Sequence, residues 1–522
     1  MFYLDHRYGE QESAFLRSAF GAELPGAALP SLDSGSILGV RGDAERAFGP
    51  DASLWLDAET ASWAILEGEE RALAERLRRE LPYGALVLHA GRHREAALLR
   101  LLEHLWRAGV LQVDGRGRWP RSLFARGPLF RASYLVEIHL TSRCNMACRY
   151  CFAEAGPEGI DLPDDLAHRA VELALELPTD DLTIEFAGGE PLLRSSLLER
   201  LIQRCEQASV ERDAPVSVAI ETNGVLLTDR ALASLRTHPE VAVSIGLDGP
   251  RDINDFARCA ADGSSRHSEI EAAARAAASL WGKEAGALVV VHSRSWSRAT
   301  HVAGYLASLG LGKMRFNPVA ALGRAAAERD TVAVSPKQYL CFMQCLLDYL
   351  AQTRAFEESN LEALVRNLAL KTRDYRCMRS PCGAGYDYLV VDAAGDVYPC
   401  ARFVRRPELR LGNVADGGGL EGRYLNSPLV RDMADRIVSR IPACQDCVWR
   451  HFCEAGCALA ANAEFGTLSA PDPFCDFYRG IYPYLIGYLY EHPEMVEHFF
   501  AGGVACRVAP PASRIAVTAS EP

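Results

Sequence analysis

At 522 residues the chain exceeds one ordinary domain, and about three are expected. Its 49% hydrophobic and 24% charged residues read as globular and exclude a fibrous or disordered protein. The 56 Lys and Arg against 68 Asp and Glu leave a net charge of −12, which disfavours a broad electrostatic hold on nucleic acid or an anionic membrane.

Met1-Phe2-Tyr3-Leu4 begins no secretory signal, and no apolar run is long enough to span a bilayer. The sixteen cysteines are therefore expected as metal ligands in a reducing cytoplasm rather than as disulfides. In residues 1–130 the pattern predicts a strand near Ser53–Leu56 and a helix from Ala58 capped by Asp57. A helix around Arg71–Glu80 follows, then one over Glu95–Trp106 ended by Gly109, then a strand at Val110–Val113. Helices followed by a strand ribbon suggest a winged-helix-like domain. No cluster of chemistry-bearing residues falls there.

From Tyr134 strands alternate with helices, at Val136–Leu140, Leu182–Phe186, Val216–Glu221, Val241–Leu247, Leu288–His292 and Met314–Val319. Six such units predict an α/β fold, a partial (β/α)6 TIM-like barrel over 131–335, with functional loops after the strands. The first strand leads into Cys144-Asn-Met-Ala-Cys148-Arg-Tyr150-Cys151. Three thiolates this close can hold three irons of a cubane and leave the fourth open; zinc with a distant fourth ligand is the alternative. The second strand ends in Gly188-Gly189-Glu190-Pro191, where two glycines let backbone approach a ligand. Asn223 ends the third strand and Ser244 lies in the fourth, while Asp255 and Arg258 follow as either a loop ion pair or a cofactor contact.

Residues 336–375 read as a helical bridge in which Cys341 and Cys345, at i and i+4, are expected as packed thiols. Cys205, Cys259 and Cys506 are expected bystanders. Over 376–480 a second array runs Cys377, Cys382, Gly395-x4-Cys400, Cys444-x2-Cys447-x5-Cys453-x3-Cys457 and Cys475. Residues 481–522 are expected to form a helix and a disordered tail from about Val508.

The triad with Tyr150, the Gly188–Pro191 turn and the second array resemble the radical SAM enzymes that carry a SPASM extension. The resemblance implies a [4Fe–4S] cluster on Cys144, Cys148 and Cys151 that binds S-adenosylmethionine and generates a 5′-deoxyadenosyl radical. It assigns cofactor contacts to Tyr150, Gly188, Gly189, Glu190, Pro191, Asn223 and Ser244. One auxiliary [4Fe–4S] cluster would use Cys377, Cys382, Cys400 and Cys457, and another Cys444, Cys447, Cys453 and Cys475. It further implies a precursor peptide substrate whose leader is held by residues 1–130, an external one-electron reductant of flavodoxin or ferredoxin type, and a thioether or carbon–carbon crosslink as product. Formylglycine formation as in the sulfatase maturases, or dehydrogenation of a small molecule, are the alternatives. The maturases place an acid directly after the cysteine of the Gly-x4-Cys element, where this chain has Ala401.

Overall fold

The computed structural model describes residues 1–6, 28–47, 51–124, 133–238, 240–373, 375–419, 424, 427–500 and 506–508. Six parallel strands form its centre: β1 (Tyr134–Thr141), β2 (Leu182–Gly188), β3 (Val216–Thr222), β4 (Val241–Gly246), β5 (Gly286–Val291) and β6 (Lys313–Pro318). Each pairs with the next in sequence order, so the strands lie in the order of the chain. Helices between them, among them Asp164–Leu175, Ser195–Arg212 and His267–Trp281, cover one face. Alternate residues such as Ile184, Phe186, Val218 and Ile220 are buried under those helices, each such side chain contributing about 1.5–3 kcal/mol. The intervening positions, among them Glu185, Glu221 and Ser244, turn to the concave interior and are only partly buried.

The sheet does not stop at six strands. The short β7 (Glu357–Glu358) pairs with β6, and β8 (Tyr388–Val391) adds in parallel to β1, followed by β9 (Asp396–Tyr398) and β10 (Gly412–Asn413). The strand order is thus β7-β6-β5-β4-β3-β2-β1-β8-β9-β10. The cysteine-rich segment therefore grows from the barrel sheet itself.

Near the N-terminus the helix expected from Ala58 does not form. Ala52–Asp57 and Ser62–Glu67 instead pair as an antiparallel hairpin, with Asp43–Ala47 alongside. Asp57 accepts from Glu59 N (3.1 Å) and Thr60 Oγ1 (2.7 Å), so the acid closes a turn where the local pattern suggested a cap. Helices Gly68–Leu77, Tyr83–Ala90 and Glu95–Arg107 follow, then a short hairpin of Leu111–Val113 with Arg116–Gly117. Gly109 ends the third helix at φ 78°, and a Cβ there would meet Ser62 Oγ at 2.4 Å. Trp63 Nε1 donates to Leu368 O (3.0 Å) and Lys371 Nζ to Ala61 O (2.5 Å), docking this region on the helix Ser359–Ala369 and the residues after it.

Among the described residues no helix is long and apolar enough to cross a membrane. The tail beyond residue 508 lies outside the described residues.

Candidate active site and cysteine arrays

The loop after β1 carries Cys144, Cys148 and Cys151, and hydrogen bonds from four directions hold it. Ser142 N donates to Ile160 O (2.8 Å), while Ala147 N and Arg149 N donate to Cys259 O (2.7 Å) and Ala257 O (2.8 Å). Arg324, far along the chain, donates from Nε to Cys148 O (2.8 Å) and from Nη1 to Ala155 O (2.9 Å). Arg149 pairs with Glu328 at 2.6 Å. Cys144 and Cys148 are buried and Cys151 partly so. Burial, then Glu190 and Cys151, pushes the Cys144 thiol up to about 11, and burial, then Cys151 and Cys144, pushes the Cys148 thiol up to about 12 while Arg258 opposes. Neutral, uncompensated thiols gathered in this way are a donor set that becomes thiolate only when a cationic centre binds.

The Gly188–Pro191 turn is stitched to that loop. Gly189 N donates to Thr141 O (2.8 Å) and Glu190 N to Arg143 O (2.9 Å). A Cβ on Gly189 would meet Arg143 O at 2.1 Å, and one on Gly188, at φ 115°, would meet Thr141 O at 2.5 Å. The glycines thus bring the turn against the cysteine loop's own backbone. The Glu190 side chain is fully buried and its carboxylate is taken up by the chain, accepting from Thr222 Oγ1 (2.8 Å), Leu192 N (3.1 Å) and Asn223 N (2.8 Å). Burial pushes its carboxyl up despite these donors. Asn223, so held, donates from Nδ2 to Asn145 Oδ1 (2.7 Å) and reaches Cys144 Sγ at 3.5 Å. Pro191 starts a buried turn of 3-10 helix.

Tyr150 OH donates to Asp248 Oδ2 (2.5 Å) and accepts from Arg258 Nη1 (2.9 Å). Among the described residues Arg258 makes no ion pair with Asp255, which instead accepts from Asn254 Nδ2 (3.3 Å); the loop ion pair gives way to this buried Tyr150–Asp248–Arg258 group. Arg258 lies across Gly246, where a Cβ would come within 2.4 Å of the guanidinium. Arg258 Nε and His292 Nε2 are buried with no hydrogen-bond partner. His292 Nδ1 accepts from Arg294 N (3.2 Å), leaving the proton on the unpartnered Nε2. Two unspent donors near Asp248, beside an incompletely ligating cysteine loop, fit a polar ligand such as S-adenosylmethionine. Ser244 faces the interior in register with Glu221. Asp248, Arg324 and His292 were not singled out by sequence; Asp248 lies in the strand-four loop, whereas Arg324 carries no local signal at all.

Downstream, the members of each of the two sets that the resemblance implies lie near one another. Cys400 is pushed well up by burial and by neighbouring Cys457, Cys382 and Cys377. Gly395 takes φ 80° in the β8–β9 hairpin turn that delivers Cys400, and Cys457 N donates to Asp472 Oδ2 (2.7 Å). Cys377 is exposed, the others of this set partly buried. Cys444, Cys447, Cys453 and Cys475 all line one cavity of about 180 Å³, shared with Asp472 and Tyr478. Four thiols around a space larger than a cavity that admits benzene, about 150 Å³, suit a polyatomic cluster better than one zinc ion held at about 2.3 Å from each sulfur. Cys205 is buried away from these sets, whereas Cys341 and Cys345 are exposed and not packed as expected. Their helix, Pro336–Thr353, buries Tyr339, Phe342, Met343, Leu346, Leu347 and Leu350 on the opposite stripe.

A partial parallel barrel with a three-cysteine loop after its first strand, continued into a cysteine-rich extension, defines a class. Residues 138–292 match the radical SAM superfamily and residues 382–448 the SPASM iron–sulfur cluster-binding domain. The chain thus carries a radical SAM domain and a SPASM domain, and is an enzyme with [4Fe–4S] clusters and S-adenosylmethionine as cofactors. Among relatives, mycofactocin maturase of Mycolicibacterium smegmatis is 26% identical over 67% of this chain and 84% of its own. The cysteine-type anaerobic sulfatase-maturating enzyme of Clostridium perfringens is 22% identical over 66% of this chain and 94% of its own. The solved structure of anSMEcpe with bound AdoMet and the Cp18Cys peptide superposes with TM-score 0.59 at 20% identity, covering 70% of this chain and 99% of that one. Streptococcus suis SuiB bound to S-adenosylmethionine covers 85% of this chain and 99% of its own, at TM-score 0.51 and 13% identity.

Proposed function

We propose that this protein is a peptide-modifying radical SAM enzyme that installs a thioether or carbon–carbon crosslink in a ribosomally made precursor peptide. The observation that carries the reading is the gathering of eleven cysteines into three separate sets, one with three thiols and two with four. In this reading Cys144, Cys148 and Cys151 hold the cluster that binds S-adenosylmethionine, and the two downstream sets hold auxiliary clusters. Loaded in this way, the site supplies a 5′-deoxyadenosyl radical able to take a hydrogen atom from an unactivated carbon.

The chain's own residues then do the positioning. Gly188, Gly189 and Pro191 set the turn against the cysteine loop, where its backbone would hold the amino-acid end of S-adenosylmethionine. Glu190 fixes Asn223, and Tyr150, through Asp248, fixes Arg258, so that neither polar side chain must be ordered during reaction. Ser244 lines the same interior. Residues 1–130 serve as the leader-binding domain, a role that their short strands support through an added strand. The reductant is an external flavodoxin or ferredoxin, and the location is cytoplasmic. The relatives whose names supply the peptide theme are maturases, and a neighbouring solved structure holds a precursor peptide. Ala401, without a carboxylate beside Cys400, weighs against formylglycine formation.

The test is anaerobic incubation of the reconstituted enzyme with reductant, S-adenosylmethionine and the peptides of any short reading frames found beside its gene, read by mass spectrometry. Loss of two hydrogens per crosslink with release of 5′-deoxyadenosine is expected. Release of 5′-deoxyadenosine with no change in any peptide would turn the assignment toward a small-molecule substrate.

A further inference from the structure

The interior of the barrel holds a group of ionisable side chains that the cysteine loop does not employ, although Arg315 among them also lies over the Tyr375 ring (5.8 Å) and near Cys377 and Glu358. Glu185 on β2 and Glu221 on β3 are diagonal neighbours, since Glu185 pairs in register with Ala219. Their carboxyls hydrogen-bond each other, and among the described residues neither takes part in an ion pair. Arg315 on β6 faces them across the interior and acts on both electrostatically. Its Nε is fully buried and has no hydrogen-bond partner, an unsatisfied donor of a kind that protein interiors seldom leave without a ligand. Glu221 stands two residues before Asn223, whose amide reaches Cys144. At about 3.3 Å per strand residue, Glu221 and Asn223 stand about 7 Å apart along the strand, on the same side of the sheet.

We infer that Arg315 holds an oxygen of the substrate residue in the barrel interior and that the Glu185–Glu221 pair accepts the proton that residue loses. The inference rests on the peptide-crosslinking reading above, and it answers a requirement of balance. When a carbon–hydrogen and a sulfur–hydrogen bond become one carbon–sulfur bond, one hydrogen leaves as an atom to the 5′-deoxyadenosyl carbon. One electron leaves to an oxidised iron–sulfur cluster, and the second hydrogen leaves as a proton that needs a base. The position after Cys400 offers none. A pair of carboxyls sharing one proton can take another without creating a buried cation. Burial, then Glu137, pushes Glu221 up to about 7 while Arg315 opposes, and burial with the Glu221 charge pushes Glu185 well up. The other ionisable groups facing the pair are Glu137 and His139 from β1 and Tyr388 from β8, which donates to Glu137.

The test uses the full reconstituted enzyme, the peptide that the wild-type enzyme modifies, and Glu185→Gln, Glu221→Gln and their double variant. The double variant is expected to keep wild-type iron content and to release 5′-deoxyadenosine, with modified peptide per deoxyadenosine reduced about 100-fold, the low end of general-base contributions. Arg315→Gln is expected to raise the KM for peptide at least about tenfold. Independently of turnover, infrared spectra of the wild-type enzyme at neutral pH should show a protonated carboxyl stretch that Glu221→Gln abolishes. Unchanged coupling in the double variant, an unchanged KM in Arg315→Gln, or absence of that stretch would overturn the inference and leave peptide crosslinking standing. A wild-type enzyme that modifies no peptide would instead remove the reading beneath both.

Discussion

Arg324 offers the sharpest test of how the cysteine loop is held. Arg324→Met removes two hydrogen bonds from a charged donor, to Cys148 O and Ala155 O at 2.8 and 2.9 Å. Such bonds contribute about 1.5–3 kcal/mol each, and the side chain is half-buried, so the lower figure applies and the pair is worth about 3 kcal/mol to loop order. At about 1.4 kcal/mol per decade, the open loop becomes roughly 100-fold more populated. The assay is anaerobic challenge of reconstituted enzyme with an iron chelator, following iron lost per chain. One cluster's share of iron should leave about 100-fold faster while the remainder leaves at the wild-type rate, because the downstream sets do not touch Arg324. Arg324→Lys, with no fork to span both carbonyls, should fall between. Iron loss within about twofold of wild type, or equal acceleration of all the iron, would refute the reasoning, since the 1.4 kcal/mol per decade conversion allows no such result for a 3 kcal/mol clamp.

Gly189→Ala places a Cβ 2.1 Å from Arg143 O; a destabilisation of about 3 kcal/mol in urea is expected, against almost none for Gly156→Ala, where nothing lies within 4 Å. Burial pushes Glu358 up to about 7 although Phe316 N and Leu361 N donate to it. A carboxyl raised in the folded state gives stability that is full below its unfolded value, about 4.3, and is lost as pH rises through 7. The cluster-free protein should therefore lose about 3 kcal/mol from this group over that window, and Glu358→Gln should flatten the slope measured by urea titration; an unchanged slope would discount the burial argument. Cys341 and Cys345, both exposed, should be alkylated by iodoacetamide in the folded holoenzyme under conditions that spare buried Cys205, as peptide mapping would report. Their protection would contradict the exposed helix face.

The chemistry-bearing loops were legible because each is a short local pattern placed at a strand end. All six barrel strands were legible too, from apolar alternation such as Leu182, Ile184 and Phe186. The supports were not. Arg324 binds carbonyl oxygens 169 and 176 residues away, and carbonyls have no sequence signature. The segment after Asp57 failed for a different reason. An acid followed by a threonine three residues on satisfies a turn as readily as a helix start, and only pairing of Ser62–Glu67 with Ala52–Asp57 decides between them. The expectation that Cys341 and Cys345 would be packed took their shared helical face as an inward one, whereas the larger apolar residues claimed the inward stripe. The role of Glu190 also escaped its motif: the sequence placed it at the cofactor, and its carboxylate acts on Asn223.

The parallel pairing of β8 with β1 has a consequence for how this enzyme could be divided. A chain cut before residue 376 would strip the partner from Tyr388's neighbour Leu135 through Ile138, baring a long apolar strand edge able to recruit other molecules. The cysteine-rich extension is thus no detachable cassette. Exchange of that extension between related enzymes would have to carry β8 with it, and the spacing between the first cysteine set and the later ones is set by a shared sheet rather than by a linker's reach.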